Sequence, residues 1–90
     1  MIPGEYVLLQ NYPNPFNPTT SISYGIPEDG LVLLRVFDTH GRAVGEMVNG
    51  WMEAGMYTVD YDASRLPSGI YLYRLEANGE VLTGTMTLLK

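Results

Sequence analysis

Apolar and polar residues alternate with a period of two along most of this chain, and the i, i+3, i+4 spacing of an amphipathic helix is never sustained. Residues 21–26 show the pattern clearly, because Ile22, Tyr24 and Ile26 alternate with two serines and a glycine. Such alternation is typical of β-strands that bury one face. Further alternating or apolar segments predict strands at residues 6–9, 32–37, 42–48, 56–62, 71–76 and 81–89.

Turn-forming residues separate these segments at intervals of ~8–12 residues, which is typical of an all-β sandwich. The strongest turn signal is Asn78-Gly79, which predicts a two-residue hairpin. Asn49-Gly50 and Ala54-Gly55 are predicted to bracket a short connection that holds Trp51. The pattern as a whole therefore predicts an antiparallel β-sandwich of about seven strands.

Three prolines fall within the six residues from Pro13 to Pro18. Each proline fixes its own φ, lacks an N–H donor and pushes the preceding residue toward extended geometry. Such a segment cannot pair as a central strand, so we expect it to follow a sheet edge or cross one end of the sandwich. Phe16 and Tyr12 are predicted to close the core there.

The length and composition limit the possible functions. Ninety residues suffice for one domain, predicted over residues 1–90 with residues 1–5 as a linker. The net charge of −5, with Lys90 as the only lysine, argues against a nucleic-acid partner. The longest aliphatic run, residues 31–34, is far too short for a membrane helix, so direct membrane insertion is not expected. The N-terminus does not resemble a signal peptide, so an exported form would be part of a longer protein.

Few residues are suited to catalysis or cofactor binding. The chain has no cysteine, and its one histidine, His40, lies in a predicted turn, where nothing would orient a catalytic base. Asp60 and Asp62 share a predicted strand face without a cleft around them. No cofactor is therefore expected, although calcium binding through dispersed loop carboxylates stays open. The candidates for that binding are Glu28, Asp29, Asp38, Asp60 and Asp62.

Aromatic residues provide one further candidate site. Seven of them are tyrosines, and most alternate with aliphatic residues at positions where core packing is the expected function. Trp51, in its predicted connection, is the one aromatic residue expected to be exposed. It is the candidate for a weak contact with polysaccharide.

Five motifs in this order, over roughly residues 6–90, resemble a known family. They are Tyr12-Pro13-Asn14-Pro15-Phe16-Asn17-Pro18-Thr19-Thr20, Asp38-x-x-Gly41-Arg42, Ala54-Gly55, Pro67-Ser68-Gly69-Ile70-Tyr71 and Met86-Thr87-Leu88-Leu89-Lys90. The chain resembles the type A C-terminal sorting domains of the type IX (Por) secretion system. These domains are similar to the Ig-like domain of the flagellar hook-capping protein. Tyr61-Asp62 departs from the Trp-Asp of many members, and Met56 separates Ala54-Gly55 from Tyr57.

The resemblance implies a seven-stranded Ig-like sandwich at the C-terminus of an exported protein, often a glycoside hydrolase or a protease. It implies delivery through the periplasm, recognition by the outer-membrane translocon, possible processing by a sortase, and release to the cell surface or medium. It implies no catalytic activity for the domain itself. The recognition residues carried over are Pro13, Asn14, Pro15, Phe16, Asn17, Pro18, Gly41, Arg42, Pro67, Ser68, Gly69, Tyr71 and Lys90.

A second interpretation stays open beside sorting. An accessory carbohydrate-binding module of a secreted polysaccharide hydrolase would have the same fold, and fold alone does not distinguish the two functions.

Overall fold

The computed structural model describes residues 2–90, so Met1, the first residue of the predicted linker, lies outside the described residues. All of the regular structure in this range is β-strand, and the predicted seven-stranded fold is confirmed. Among residues 2–90, no helix has the length and apolar character needed to cross a membrane. The strands are β1 (Val7–Leu8), β2 (Thr19–Ile26), β3 (Gly30–Phe37), β4 (Ala43–Met52), β5 (Gly55–Asp62), β6 (Gly69–Ala77) and β7 (Glu80–Leu88).

The strands form two antiparallel sheets that pack as a sandwich. One sheet has the order β1-β2-β5, and the other has the order β4-β3-β6-β7. After β2 the chain crosses to the second sheet for β3 and β4, and it returns in β5 to pair with β2 over residues 19–26 and 55–62. This is the crossover pattern of an Ig-like sandwich, with the fourth strand placed beside the third.

The core lies between the inner faces of the two sheets, and it follows the predicted alternation. Ile22, Tyr24 and Ile26 of β2 are buried, as the period-two pattern predicts. Tyr24 also stacks on the half-buried Tyr57 of β5, with 5.4 Å between the ring centroids. The remaining buried apolar side chains are Phe16, Val32, Leu34, Val36, Ala63, Tyr71, Tyr73, Leu75, Ala77, Met86 and Leu88.

Strand β4 differs from its prediction. The turn predicted at Asn49-Gly50 is wrong, because both residues pair with β3 in the registers Leu33↔Asn49 and Val32↔Gly50. Strand β4 runs for ten residues to Met52, and its two register irregularities lie in its first half, between residues 43 and 48. Gly50 is tolerated because β4 is an edge strand, where a glycine weakens the pairing without breaking the sheet.

The two tightest predicted turns have the expected geometry. Asn78 and Gly79 have φ values of 51° and 83°, the paired positive angles of a two-residue type I′ hairpin. Gly41 has a φ of 82°, in the left-handed region where glycine alone carries no steric penalty. Sequence-local turn chemistry therefore determines both of these connections.

Gly84 of β7 lies directly against a buried aromatic ring, and Gly84→Ala is expected to destabilise the domain by about 1–3 kcal/mol. A Cβ at this position would collide with the ring of Tyr73, which is 1% exposed and has no free space to move into. Gly50→Ala is the matched control, because a Cβ there meets nothing within 4 Å. Urea unfolding of both variants measures the difference, and equal stabilities would contradict the packing argument.

Candidate functional site

The topology brings four of the five sequence motifs to one end of the sandwich. At this end β2, β4 and β6 begin, and β3, β5 and β7 finish. We call it the motif end, and it consists of residues 9–18, 38–42, 62–68 and 89–90, where Asp62 is the last residue of β5. The fifth motif, Ala54-Gly55, lies at the opposite end, which consists of residues 2–5, 27–29, 53–54 and 78–79.

The proline segment closes the motif end by joining the two sheets. Tyr12 pairs with Ser21 of β2 through two backbone hydrogen bonds of 2.9 Å. Four residues later, Phe16 N–H donates to Thr87 O and Phe16 O accepts from Leu89 N–H, both at 3.0 Å. The peptide bonds before Pro13, Pro15 and Pro18 are cis. The segment therefore crosses one end of the sandwich, as its prolines predict.

The two aromatic residues of this segment have different environments. Phe16 is 2% exposed and belongs to the core, which confirms its predicted position. Tyr12 was expected to close the core with it, and this prediction is wrong, since its side chain is 81% exposed. The bridge to Ser21 fixes the backbone of Tyr12 at the edge of β2, and its ring points into solvent. Tyr12 is therefore part of the surface of the motif end.

A buried polar network beneath the prolines was missed by sequence reasoning. The Asn11 side chain, in a residue only 2% exposed, donates from Nδ2 to Pro13 O and to Thr20 Oγ1, each at 3.1 Å. Thr20 Oγ1 in turn donates to Pro13 O at 2.9 Å, and Asn11 N–H donates to the Tyr73 hydroxyl at 3.1 Å. Burial also raises the pKa of Tyr73 above its ordinary value. One sequence feature indicated this network: Asn11 directly precedes the proline segment, whose prolines lack backbone N–H donors.

The loop between β5 and β6 is held by its own side chains. The Tyr71 hydroxyl donates to Pro67 O at 2.6 Å, which is the tyrosine corner found near the start of the equivalent strand in Ig-like sandwiches. Asp62 Oδ1 accepts from Ser64 N–H at 2.9 Å, as expected for a carboxylate at the start of a loop. Ala63 N–H donates to Pro18 O at 2.9 Å. The first two bonds shape the loop, and the bond from Ala63 attaches it to the proline segment.

Lys90 extends the same surface beyond the end of β7. Its backbone N–H donates to Ser68 Oγ at 3.0 Å, and its Nζ donates to Ser64 O at 2.6 Å. Asn14 Oδ1 accepts from Thr87 N–H at 3.0 Å on the other side of the strand end. The last residues of the chain are thus held between the proline segment and the loop 63–68.

The hairpin turn at residues 38–42 completes the motif end. Asp38 Oδ1 accepts from the N–H groups of His40 and Arg42 at 2.9 and 3.0 Å, and Asp38 Oδ2 accepts from Arg42 Nε at 2.9 Å. The backbone hydrogen bond from Arg42 is the largest influence that lowers the pKa of Asp38. Arg42 and Asp38 therefore form an ion pair across the hairpin turn.

The lowered pKa of Asp38 predicts a pH dependence of stability. A depressed carboxyl pKa adds stability that is present above the unfolded-state value and is lost as the pH falls through the folded-state value. The advantage of the wild type over Asp38→Asn should therefore be largest near neutral pH and shrink as the pH falls from about 5 to about 2. Urea titrations across this range measure the difference, and a gap that stays constant with pH would contradict the assignment.

The predicted recognition residues divide into a buried and a surface set. Phe16 and Tyr71 are buried, so they act by holding the motif end in shape. Pro18 and Gly69 are half-buried beneath the surface. The exposed residues are Pro13, Asn14, Pro15, Asn17, Gly41, Arg42, Pro67, Ser68 and Lys90.

The candidate metal and catalytic residues are dispersed over the molecule. Asp38 and Asp62 lie at the motif end, where each accepts N–H groups of its own loop. Asp29, at the opposite end with Glu28, accepts from Ala54 N–H at 2.7 Å. Asp60 accepts from Ser21 Oγ at 2.6 Å across the β2–β5 pair. Within residues 2–90, no group of three or more His, Asp or Glu side chains is placed to hold a metal ion.

Trp51 lies far from the motif end. It belongs to β4 and not to a connection, and it pairs with Leu31 on the outer face of the four-stranded sheet. Trp51 is 69% exposed and Leu31 is 61% exposed, so the two form a small apolar surface near the opposite end. The expectation that Trp51 is exposed is confirmed.

Fold and site together define a small Ig-like β-sandwich module whose distinctive residues form a loop surface at one end. The family model described as secretion system C-terminal sorting domain matches residues 10–88, and the chain belongs to this family. It is a C-terminal sorting domain for type IX secretion, a signal for export to the cell surface or medium. A comparison with curated proteins finds no match.

Proposed function

We propose that the motif end is the surface that the type IX outer-membrane translocon recognises. The observation that carries this proposal is the placement of the exposed family motifs at one end of the domain, while residues 2–5 lie at the other. A protein joined ahead of residue 1 would therefore be attached away from the motif end. That surface would stay accessible whatever the size of the exported protein.

The proposed pathway follows from this arrangement. An exported hydrolase or protease with its own signal peptide would carry the domain into the periplasm. The translocon would then bind the motif end, and a sortase could act near the connection to the parent protein. In this scheme the domain contributes recognition and no catalysis.

The proposal is tested by transplanting the domain. Residues 1–90 are fused to the C-terminus of a fluorescent reporter that carries a signal peptide, in a bacterium with the type IX machinery. We expect the reporter at the cell surface or in the medium, and its retention in the periplasm of an otherwise identical strain without the translocon. Retention in both strains would contradict the proposal.

Substitutions of Asn14 and Asn17 distinguish an effect on recognition from an effect on stability. The Asn14 side chain accepts a hydrogen bond from Thr87 N–H, whereas Asn17 is exposed and its side chain has no hydrogen bond within residues 2–90. Asn14→Ala is expected to cost about 1 kcal/mol of stability, and Asn17→Ala less than about 0.5 kcal/mol. Asn17→Ala should nevertheless reduce reporter export. Thermal unfolding measures the loss of stability, and secreted fluorescence measures export. Full export of Asn17→Ala would show that Asn17 is not part of the recognised surface.

The exposure of Trp51 supports carbohydrate binding as a second candidate function. An exposed indole can stack on a sugar ring, although here its cross-strand neighbour is the aliphatic Leu31. In an affinity gel with an insoluble polysaccharide, retention of the domain that is lost in Trp51→Ala would support this function. If the unmodified domain is not retained, the function is excluded for that polysaccharide.

A further inference from the structure

The ionised side chains are distributed unevenly along the sandwich, whose longest dimension is 36 Å. Five of the ten carboxylates lie at or beside the opposite end, and none of the five cationic residues lies there. These carboxylates belong to Glu5, Glu28, Asp29, Glu53 and Glu80. The side chains of the opposite end thus carry a charge equal to the net charge of the whole chain, −5.

The motif end has more positive than negative side chains. It contains three cations, Arg42, Arg65 and Lys90, and two carboxylates, Asp38 and Asp62. The remaining charges lie within the strands, where Arg35 and Arg74 both donate to Glu76. Asp60 of β5 accepts from Ser21, and Glu46 lies on the edge strand β4. An ionised N-terminus would add a positive charge at the opposite end, and an ionised C-terminus would add a negative charge at the motif end. Together they would reduce the difference in charge between the two ends without reversing it.

Two of the motif-end cations are available to a partner. Arg65 is exposed and forms no ion pair within residues 2–90. Lys90 Nζ donates to the neutral carbonyl of Ser64, so its charge is not cancelled by a direct ion pair. The third cation, Arg42, is engaged by Asp38 at 2.9 Å. After the hydrogen bonds from Ser64, Lys90 and Arg65 also contribute to the lowered pKa of Asp62, so these two cations and this carboxylate leave one net positive charge on the loop and the last residue.

Exposed apolar side chains accompany these cations. Leu89, directly before Lys90, is 54% exposed, and Tyr12 in the proline segment is 81% exposed. Exposed apolar side chains at the same end as two cations without a direct ion pair suit a protein surface that has apolar contacts and carboxylates.

We infer that the motif end docks onto an acidic surface of a protein partner, an inference that rests on the proposed function. Such a surface attracts the motif end and repels the opposite end. The field therefore turns the domain so that the motifs face the partner and the attached protein points away. A basic partner would select the opposite end instead.

The test changes charge at one end at a time in the reporter fusion. The double variant Arg65→Gln and Lys90→Gln removes two positive charges from the motif end. The matched control, Ile2→Glu and Gly4→Glu, lowers the net charge by the same amount at the opposite end, where both residues are exposed. Thermal unfolding of the purified domains confirms that both variants fold, and the charge-conserving pair Arg65→Lys and Lys90→Arg should retain export.

We expect the glutamine variant to lower the rate of reporter export about tenfold and the glutamate control to leave it unchanged. Equal export of all folded variants would overturn the acidic-partner inference while leaving the sorting function intact. An equal loss in both double variants would also overturn it, because net charge alone would then explain the result. An unmodified fusion that is not exported would instead contradict the proposed function.

A second arm distinguishes a protein from a lipid as the source of negative charge. The purified domain is mixed with vesicles of phosphatidylcholine and phosphatidylglycerol. No sedimentation with the vesicles is expected. Sedimentation that is lost in the Arg65→Gln and Lys90→Gln variant would assign the charge to an anionic membrane surface and overturn the inference.

Discussion

Phe16→Ala is expected to destabilise the domain by about 3–5 kcal/mol, the largest effect of any single substitution in the proline segment. The side chain is 2% exposed and packs in the common core of both sheets. Its removal leaves a cavity at the point where backbone hydrogen bonds tie residues 16 and 87–89 together. Because a domain of this size is stable by only about 5–15 kcal/mol, the variant should be unfolded in a substantial fraction of molecules at elevated temperature.

Urea unfolding of Phe16→Ala, with Tyr12→Ala as the control, measures this effect. Tyr12 is in the same segment and is 81% exposed, so its substitution should change stability by less than about 0.5 kcal/mol. Similar losses in the two variants would show that the segment does not close the core through Phe16.

Asn11→Ala is expected to cost about 2–3 kcal/mol. The change removes two hydrogen bonds donated by Asn11 Nδ2, to Pro13 O and Thr20 Oγ1, from a site shielded from water. Thr20 Oγ1 loses the donor Asn11 Nδ2, and Pro13 O retains only the hydrogen bond from Thr20 Oγ1. The proline segment would keep its backbone bridge from Tyr12 to Ser21 but lose the buried side-chain bonds that link Pro13 and Thr20 to Asn11.

The Asn11 effect is measured by thermal unfolding against Asn17→Ala, which removes an exposed amide from the same segment. Amide hydrogen exchange adds a second readout, because the N–H of Ser21, bonded to Tyr12 O at 2.9 Å, should lose protection in Asn11→Ala. Unchanged stability and unchanged protection together would show that the buried network does not hold the segment.

The strands could be predicted from sequence because their determinants are local. Alternation placed Ile22, Tyr24 and Ile26 on a buried face, and Asn78-Gly79 specified its own hairpin. The turn predicted at Asn49-Gly50 failed for a tertiary reason. Regular pairing of residues 48–52 with β3 outweighed the local turn preference of an Asn-Gly pair.

The motif end itself could be predicted only in part. Its motifs are visible in the sequence, yet their convergence depends on contacts such as Thr87 N–H to Asn14 Oδ1, between residues 73 positions apart. The same holds for Asn11, whose hydrogen bond to the Tyr73 hydroxyl joins residues 62 positions apart. No periodicity or turn rule encodes such pairs, because they arise only when both sheets have formed.

The proposal that the translocon recognises the motif end is tested most directly by site-specific crosslinking. The chain has no cysteine, so Tyr12→Cys and Trp51→Cys each create a single attachment site on an exposed residue. Each purified variant is labelled with a benzophenone maleimide, mixed with solubilised outer membranes of a type IX strain and illuminated. Adducts are then identified by mass spectrometry. We predict adducts with type IX outer-membrane proteins from position 12 at several times the yield from position 51. Adducts formed from position 51 and not from position 12 would contradict recognition through the motif end.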